Sequence, residues 1–268
     1  MEEAATQQQH NILYSCVGAP KNGEEPFVPE HVLGLIMQGS IDVLTEDGIE
    51  NFGKGTLSLI RKNQLIKAKK KPDAEKPFKG IYIFLDTVTL MNYGIENNLQ
   101  SKGMYIGQPT VHLQLDRFMK GYFDSLIPYF EEPEKLTANL AKVKTIEAIE
   151  LLLRNAALKN FLFDFREPHK IDLEAYMNKH FSYNVPIAQF AKLTGRSIST
   201  FKRDFSKTFN ASPEKWLQKR RLEMAHFLIL QKRRKPSEVY LDVGFENFSH
   251  FSTSFKKEFG VNASALSR

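Results

Sequence analysis

The chain has 268 residues, of which 42% are hydrophobic and 25% charged, and its formal net charge is +6. This length favours two domains, and the composition is ordinary for a globular protein with apolar cores. A single cysteine, Cys16, excludes an internal disulfide framework and a zinc site built from four thiolates.

The positive charge is concentrated at one end. Residues 178–268 hold 17 Lys and Arg against 7 Asp and Glu, a net charge of +10, whereas the preceding residues hold 20 against 24, a net charge of −4. This asymmetry predicts a polyanion-binding end attached to a domain with another task. No run of eighteen apolar residues occurs, and the first ten residues lack the form of a signal peptide. We therefore expect no membrane partner and a reducing, cytoplasmic compartment.

The first half of the sequence favours β structure. Residues 1–25 are polar and are expected to be frayed or loosely packed. From 26 to 90, apolar runs separated by turns at 46–48 and 53–55 predict short strands in a small β-barrel or sandwich. Residues 67–71 are expected at an exposed edge. The predicted strands are 31–37, 40–44, 56–60 and 80–85.

From about Leu113 the apolar period changes to that of helices. One helix is predicted over 118–127, and a longer one over 135–159 carries apolar residues at three- and four-residue steps. That stripe fits either packing on its own domain or a helix–helix dimer seam, and the sequence leaves both open. Pro168 lies in the connection, so we predict a domain over 1–160, a linker over 161–174 and a second domain over 175–268.

The last hundred residues contain a repeat. Phe201, Phe205 and Phe209 recur at i, i+4 and i+8, which places them on one face of a helix. A glycine turn at Gly195 precedes this helix, and Ser197 is its predicted N-cap. The same F-x-x-x-F-x-K-x-F pattern returns over 251–259, again after a glycine. Each copy predicts a helix-turn-helix unit, whose second helix enters the major groove of DNA.

Polar side chains between the phenylalanines are the predicted DNA contacts. Arg203 is suited to guanine O6 and N7, and Lys202 to guanine or a phosphate. Phe248 fits either contact with a thymine methyl or a partly buried position in the turn. The second helix lacks basic residues on this face, so the first is expected to carry more of the base discrimination. The predicted set is Ser197, Ser199, Thr200, Lys202, Arg203, Phe248, Ser249, His250, Ser252 and Thr253.

A helix predicted over 214–232 separates the two units. At about 1.5 Å per residue it spans roughly 27 Å, and successive major grooves on one face of DNA lie roughly 34 Å apart. We therefore expect one chain to place its two recognition helices in adjacent major grooves.

Three stretches of the second domain carry a specific resemblance: I-A-Q-F-A-K-L-T-G-R-S over 187–197, S-P-E-K-W-L over 212–217, and V-G-F-x-x-x-S-x-F-x-x-x-F-K-K-x-F-G over 243–260. They resemble the DNA-binding domain of the AraC/XylS family of bacterial transcription regulators. The resemblance implies double-stranded DNA as partner, a homodimer, contact with RNA polymerase and a location on the bacterial nucleoid. The base-contacting positions that it implies are Ser199, Lys202, Arg203, Phe248, Ser249, Ser252 and Thr253.

Three residues of the second unit depart from the family pattern. Tyr240 stands in place of a usual alanine, Thr253 replaces a common arginine, and Ala263 replaces a usual proline. Because Thr253 removes a basic side chain, the resemblance also implies that the second helix contributes more to positioning than to base discrimination.

The first domain resembles, more loosely, the cupin-like sensor domains that precede such DNA-binding units, at 29–31, 39–43 and 55–63. This implies an α+β protein: a β-barrel sensor with helices, then an all-α domain of two helix-turn-helix units joined by a long helix. The domain would bind a small-molecule effector or hold dimers together. The first half offers only His10, His31 and His112, without paired spacing, so no metal or other cofactor is expected.

Two alternatives to a transcription regulator remain open. A cupin-type enzyme fused to a DNA-binding domain would need metal ligands or a catalytic motif, and the sequence shows no Ser-His-Asp, Cys-His or phosphate-loop pattern. DNA-repair alkyl transfer, a second enzymatic alternative, needs reactive cysteines, and the sequence offers only Cys16. A non-regulatory architectural DNA binder is the other alternative. The sequence favours a regulator that is not an enzyme.

Overall fold

The chain forms two compact units, residues 1–166 and 167–268. Within the described residues, every strand lies in the first unit and the second is helical, so the predicted α+β class is confirmed. The residues described by the computed structural model are 6–22, 26–44, 48–74, 76–101, 103–166 and 170–266.

The described strands of the first unit belong to three sheets. They are β1 Gln7–Gln9, β2 Ile12–Val17, β3 Lys21–Asn22, β4 Phe27–Val28, β5 His31–Gln38, β6 Ser40–Leu44, β7 Ile49–Gly53, β8 Leu57–Ile60, β9 Gln64–Leu65, β10 Lys67–Lys71, β11 Phe78–Leu85 and β12 Thr110–Leu113. A six-stranded sheet has the order β1-β2-β11-β5-β8-β12, a second has the order β3-β10-β6-β7, and β4 pairs with β9. All of these pairs are antiparallel. Among the described residues, no hydrogen-bonded ladder closes them into one ring.

Within the part of this unit that the structure describes, five α-helices accompany these sheets: α1 Thr87–Glu96, α2 Arg117–Asp124, α3 Pro128–Glu131, α4 Ala138–Leu153 and α5 Leu158–Phe163. The six-stranded sheet presents its main apolar face to them. On β11, Ile81, Ile83 and Leu85 alternate with less buried residues and are fully buried in a cluster that includes Phe123 and Phe161. Period-two alternation therefore divides the sheet into a helix-covered face and an opposite face.

The opposite face packs against the second sheet. Val17, Ile36 and Phe78 form a separate buried cluster, and Ile41 and Phe52 of the four-stranded sheet pack against it. The first unit is thus a sheet with helices on one side and a smaller sheet on the other.

Three expectations for this unit are wrong. Residues 1–25 were expected to be frayed or loosely packed, but among those that the structure describes, β2 lies inside the six-stranded sheet with Ile12 fully buried. Residues 67–71 were expected at an edge, yet β10 pairs on both sides. The strand region was extended to residue 90, whereas α1 begins at Thr87, where Asp86 caps it by accepting from the Thr89 amide at 2.8 Å. The expected turn residues 46 and 47 lie outside the described residues.

The long predicted helix over 135–159 is shorter and packs on its own unit. α4 begins after the N-cap Thr137, and Thr145, Ala148, Ile149 and Leu152 are buried. Helix α3 starts at Pro128, where the sequence predicted the end of the preceding helix. Leu140 and Val143 remain 39% and 58% exposed. Most of the apolar stripe therefore serves the unit's own core.

The chain leaves the first unit beside a buried carboxylate. Asp164 is 2% exposed and accepts from Arg61 Nη2 at 3.0 Å, from Arg166 Nε at 2.6 Å and from the Tyr105 amide at 2.9 Å. Burial of the carboxyl raises its pKa, but the hydrogen bonds from Arg166 and Tyr105 outweigh this and lower the pKa to about 2. Asp164 therefore stays ionised and holds the last turn of the unit in place.

The described residues of the second unit form six α-helices: α6 Leu173–His180, α7 Ile187–Leu193, α8 Ile198–Phe209, α9 Pro213–Leu230, α10 Pro236–Asp242 and α11 Phe248–Phe259. α9 is shared by both halves of this unit. Near its start, the Trp216 ring packs against Phe205 and Phe209. Further along, Ala225 and Ile229 are fully buried in a cluster with the phenylalanines of α11.

Candidate nucleic-acid interface

The first helix-turn-helix unit consists of α7, a short turn and α8. Gly195 adopts a φ of 66° in the turn. Ser197 caps α8, because its hydroxyl accepts from the Thr200 amide at 3.3 Å, as predicted. Phe201 and Phe205 are fully buried beneath the helix. Asn210 ends it in the left-handed conformation at a φ of 49°.

The second helix-turn-helix unit, made of α10, a turn and α11, repeats this geometry. Gly244 takes a φ of 97°, and Asn247 caps α11 by accepting from the His250 amide at 3.1 Å. Gly260 ends the helix at a φ of 73°. Helix α10 begins at Pro236, and Lys235 occupies its N-cap position.

Arg196 holds the turn of the first helix-turn-helix unit. This side chain is 7% exposed, and its guanidinium donates to the Ile171 carbonyl at 2.9 Å, the Thr194 carbonyl at 2.7 Å and Asp204 at 3.2 Å. Asp204 also pairs with Lys170 at 3.1 Å. The hydrogen bonds from Lys170 and Arg196 lower the pKa of Asp204. The carboxylate thereby fixes α8 to the turn before it.

Arg221 of α9 holds the turn of the second helix-turn-helix unit in a similar way. Its guanidinium donates to the carbonyl oxygens of Phe181 at 2.8 Å, Tyr183 at 2.8 Å and Gly244 at 3.0 Å. Burial lowers the pKa of Arg221 to about 10, so the group is still charged near neutral pH. One side chain thus joins the segment between α6 and α7 to the turn before α11.

Neither arginine was predicted from the sequence, although the residues around Arg221 contain a signal. It lies four residues after Leu217 and four before Ala225, both of which are buried. A charged residue on the apolar stripe of a helix indicates a buried polar contact rather than a solvated side chain. A second polar contact between the same parts of the unit joins Asn184 to Glu246.

The predicted DNA-contacting residues lie on the exposed sides of α8 and α11. Thr200 and Ser252 are half-buried, and the other eight are exposed. Lys202 lies 3.6 Å from Glu214, and Arg203 lies 3.6 Å from Asp204. Ion pairs of this exposed kind contribute at most about 1 kcal/mol, so they compete only weakly with a phosphate or a base.

Phe248 is partly packed against neighbouring aromatic rings and partly exposed. Its ring is 42% exposed, while Tyr240 packs edge-on against it at 5.4 Å and Phe251 lies 6.0 Å away. Tyr240, the departure from alanine, therefore supports the start of α11. A contact between Phe248 and a thymine methyl stays a prediction.

His31 of the first unit is a packed residue. It is fully buried, its Nδ1 accepts from the Lys62 amide at 3.3 Å, and its ring lies 5.2 Å from Phe161. Burial, with smaller contributions from Lys62 and Arg61, lowers its pKa to about 3. Throughout the described part of the chain, no group of three or more His, Cys, Asp and Glu residues is placed to hold a metal ion. No helix among the described residues has the length and apolar character needed to cross a membrane.

Two family models match the chain. A helix-turn-helix domain matches residues 190–268, and the ExsA N-terminal regulatory domain matches residues 31–164. The second match alone covers half of the 268 residues.

Curated relatives align mainly with parts of the chain. The HTH-type transcriptional regulator ExsA of Pseudomonas aeruginosa is 28% identical over 107 residues, which are 40% of this chain and 38% of ExsA. The virulence regulon transcriptional activator VirF of Yersinia enterocolitica is 28% identical over 92 residues, 34% of each chain. The chain thus aligns with less than two fifths of these relatives. Among solved structures, apo ToxT of Vibrio cholerae is 12% identical, with a TM-score of 0.48 over 97% of this chain and 98% of that chain.

Proposed function

We propose that this chain binds double-stranded DNA in a sequence-specific manner and thereby regulates transcription, since it belongs to the AraC/XylS family of transcriptional regulators. The observation that carries the proposal is the repeated geometry of α8 and α11. Both helices follow a glycine turn, both are capped by a side chain at their N-terminus, and both expose polar residues at the start of the helix. This is the arrangement by which a recognition helix enters the major groove.

The two recognition helices would occupy adjacent major grooves on one face of the duplex. α9, between them, has 18 residues and is therefore about 27 Å long. Since adjacent grooves lie roughly 34 Å apart, we expect the DNA to bend toward the protein. A phasing gel checks this, and straight DNA in the complex would rule the bend out.

The first unit would regulate this binding. The match to an ExsA-type regulatory domain supports a regulatory role for residues 1–160, with 161–174 as linker and 175–268 as the DNA-binding domain. We further propose that the first unit responds to a small-molecule effector and mediates a homodimer. The names of the relatives, a regulator and an activator, support contact with RNA polymerase. The chain would act on the nucleoid in the bacterial cytoplasm, and we propose no catalytic role.

Footprinting of the full chain on a site selected from random DNA tests the proposal. We expect methylation interference at two clusters of guanines about one helical turn apart for each monomer, and affinity that falls steeply with salt. A single protected groove would contradict the two-helix arrangement. If affinity for the selected site equalled that for random DNA at the same salt concentration, the chain would be an architectural binder instead.

A further inference from the structure

Four consecutive basic residues connect α9 to the second helix-turn-helix unit. Lys232, Arg233, Arg234 and Lys235 follow the end of α9 and stop immediately before α10 begins at Pro236. We call residues 232–235 the basic loop. Three of its members are exposed and Arg234 is half-buried. The predicted base contacts on α8 and α11 include none of these side chains, so their charge still needs a role.

The position of the basic loop complements the charge of the two recognition helices. In the first helix-turn-helix unit, Lys202 and Arg203 lie on α8, and residues 181–186 before α7 contain no Lys or Arg. In the second, residues 248–253 of α11 contain no Lys or Arg, and the basic loop precedes α10. Because the first helix of such a unit crosses the DNA backbone, a segment leading into it faces phosphates rather than bases.

The backbone of the basic loop carries a second indication. Arg233 adopts the left-handed conformation at a φ of 53°. Asn210 and Gly260, which end α8 and α11, take the same conformation at 49° and 73°. Glycine and asparagine tolerate this geometry, whereas a long side chain adds strain. An arginine at such a position indicates that its side chain serves a function other than forming the turn.

Hydrogen bonds hold the basic loop against both neighbouring helices. The Arg234 amide donates to the Leu228 carbonyl of α9 at 3.3 Å, and its guanidinium donates to Asp242, the last residue of α10, at 2.6 Å. The Lys235 carbonyl accepts from the Glu238 amide at 2.9 Å. With the residues that the structure describes, Lys235 itself forms no ion pair. Arg234 therefore positions the loop, and the exposed ammonium of Lys235 is available to an anion.

We propose that Lys232, Arg233 and Lys235 bind phosphates of the DNA backbone beside the second major groove. Such contacts release counterions and add affinity without reading bases. They would hold α11 on the duplex although its exposed face has no Lys or Arg over 248–253. This inference rests on the proposed function, because it assigns the residues that position the second recognition helix.

The salt dependence of DNA binding tests the three side chains. Fluorescence anisotropy of the full chain is measured on a selected site and on a random duplex at several salt concentrations. Lys232→Gln, Arg233→Asn and Lys235→Gln should each lower the slope of log affinity against log salt by about 0.9. This corresponds to about eightfold weaker binding at about 0.1 M salt, relative to a reference near 1 M. The loss should be the same on both duplexes.

Lys54→Gln is the control for the change in net charge. Lys54 is an exposed lysine in the turn between β7 and β8 of the first unit. Its removal changes the charge of the chain by the same amount, so a general electrostatic effect would appear in this variant too. We expect it to bind both duplexes as the parent does.

Arg233→Asn also separates phosphate binding from folding. Because asparagine tolerates the left-handed conformation, the second unit of this variant should unfold at the same or a higher temperature, as followed by Trp216 fluorescence. Its DNA affinity should nevertheless fall. Ethylation interference locates the contacts: the parent should lose binding when phosphates beside the second major groove are ethylated, and Lys235→Gln should lose part of that pattern.

Three outcomes would overturn the inference: unchanged slopes in folded Arg233→Asn and Lys235→Gln, an equal loss in Lys54→Gln, or a loss restricted to particular base sequences. Unchanged slopes together with sequence-specific binding by the parent would remove only this inference. Equal affinity of the parent for selected and random DNA would instead remove the proposed function, and the slopes on the random duplex would still decide whether the basic loop binds phosphates.

Discussion

The Arg221 guanidinium donates to the Gly244 carbonyl at 3.0 Å, which connects the long helix α9 to the turn that presents the second recognition helix. The same guanidinium donates to the carbonyl oxygens of Phe181 and Tyr183 in the first half of the second unit. The two helix-turn-helix units are therefore joined by a half-buried cation as well as by α9 itself.

Replacing Arg221 by lysine should disrupt the hydrogen bonds to the three carbonyl oxygens. Lysine keeps the charge but cannot reach three carbonyl oxygens with one planar group. We expect a loss of roughly 2–3 kcal/mol in the free energy of unfolding of the second unit. Urea unfolding followed by the fluorescence of Trp216, the chain's one tryptophan, measures it. Arg220→Lys is the control, because Arg220 is exposed, its ion pair with Glu223 lies within its own helix, and lysine keeps the positive charge that lies 5.7 Å from the Phe181 ring; an equal loss there would contradict the assignment.

Gly244→Ala should destabilise the same turn. The φ of 97° is unfavourable for any side chain, and an added Cβ would lie 2.6 Å from the Ser182 carbonyl oxygen. We expect a loss of roughly 2–4 kcal/mol in the same fluorescence measurement. Gly260→Ala provides the comparison, since Gly260 also has a positive φ but no atom within 4 Å of the added Cβ. Its cost should be only about 1–2 kcal/mol, and equal costs would show that contact with Ser182 is unimportant.

Arg203→Ala should weaken DNA binding at one base position. If Arg203 contacts guanine O6 and N7, its removal costs roughly 1–3 kcal/mol on the selected site and little on a site with that guanine changed. Fluorescence anisotropy with a panel of single-base variants measures this. Lys207→Ala, on the last turn of the same helix, should cause a smaller and sequence-independent loss. A uniform loss for Arg203→Ala would make Arg203 a phosphate contact.

Asp164→Asn should reduce the acid sensitivity of the first unit. The pKa of Asp164 falls from 3.8 to about 2 on folding, so its ion pairs stabilise the folded state above about pH 4 and are lost as the pH falls toward 2. Near neutral pH the substitution should cost roughly 2–4 kcal/mol. The difference between the parent and Asp164→Asn should then shrink between pH 4 and 2, as measured by urea unfolding and circular dichroism.

The controls for this prediction use another residue and another signal. Asp124→Asn removes an exposed ion pair with Lys120 and should change stability by less than about 1 kcal/mol. The Trp216 transition, which reports on the other unit, should be unchanged. A difference between the parent and Asp164→Asn that persists at pH 2 would show that packing, and not charge, accounts for the loss.

Local signals made the second unit predictable. The phenylalanine spacing, Ser197 and Asn210 all act within one or two helical turns, so the residues that determine each helix are neighbours in the sequence. Arg221 escaped because its three acceptors are 23 to 40 residues away. Its role depends on packing that no local pattern contains.

The first unit was less predictable for the same reason. Segment Ile12–Val17 has the length of a strand, but its central place in the sheet depends on pairing with β11, more than sixty residues later. α1 was missed because its first turn contains the β-branched Thr87, Val88 and Thr89, which favour strands, although Asp86 offered a capping signal. The hydrogen bond from Lys70 on β10 to Ser15 on β2 likewise joins two separate strands, so only the folded chain reveals it.

The shared helix α9 also constrains how this protein and its binding sites can change together. Each residue inserted into a helix moves the following segment by about 1.5 Å and turns it by about 100°, whereas an added base pair turns DNA by only about 35°. A one-residue insertion would therefore point α11 away from the duplex, and it would also pull Arg221 out of reach of its carbonyls. Among the DNA sites of related proteins, the number of base pairs between the two contacted major grooves should therefore vary far less than the base sequence within those grooves.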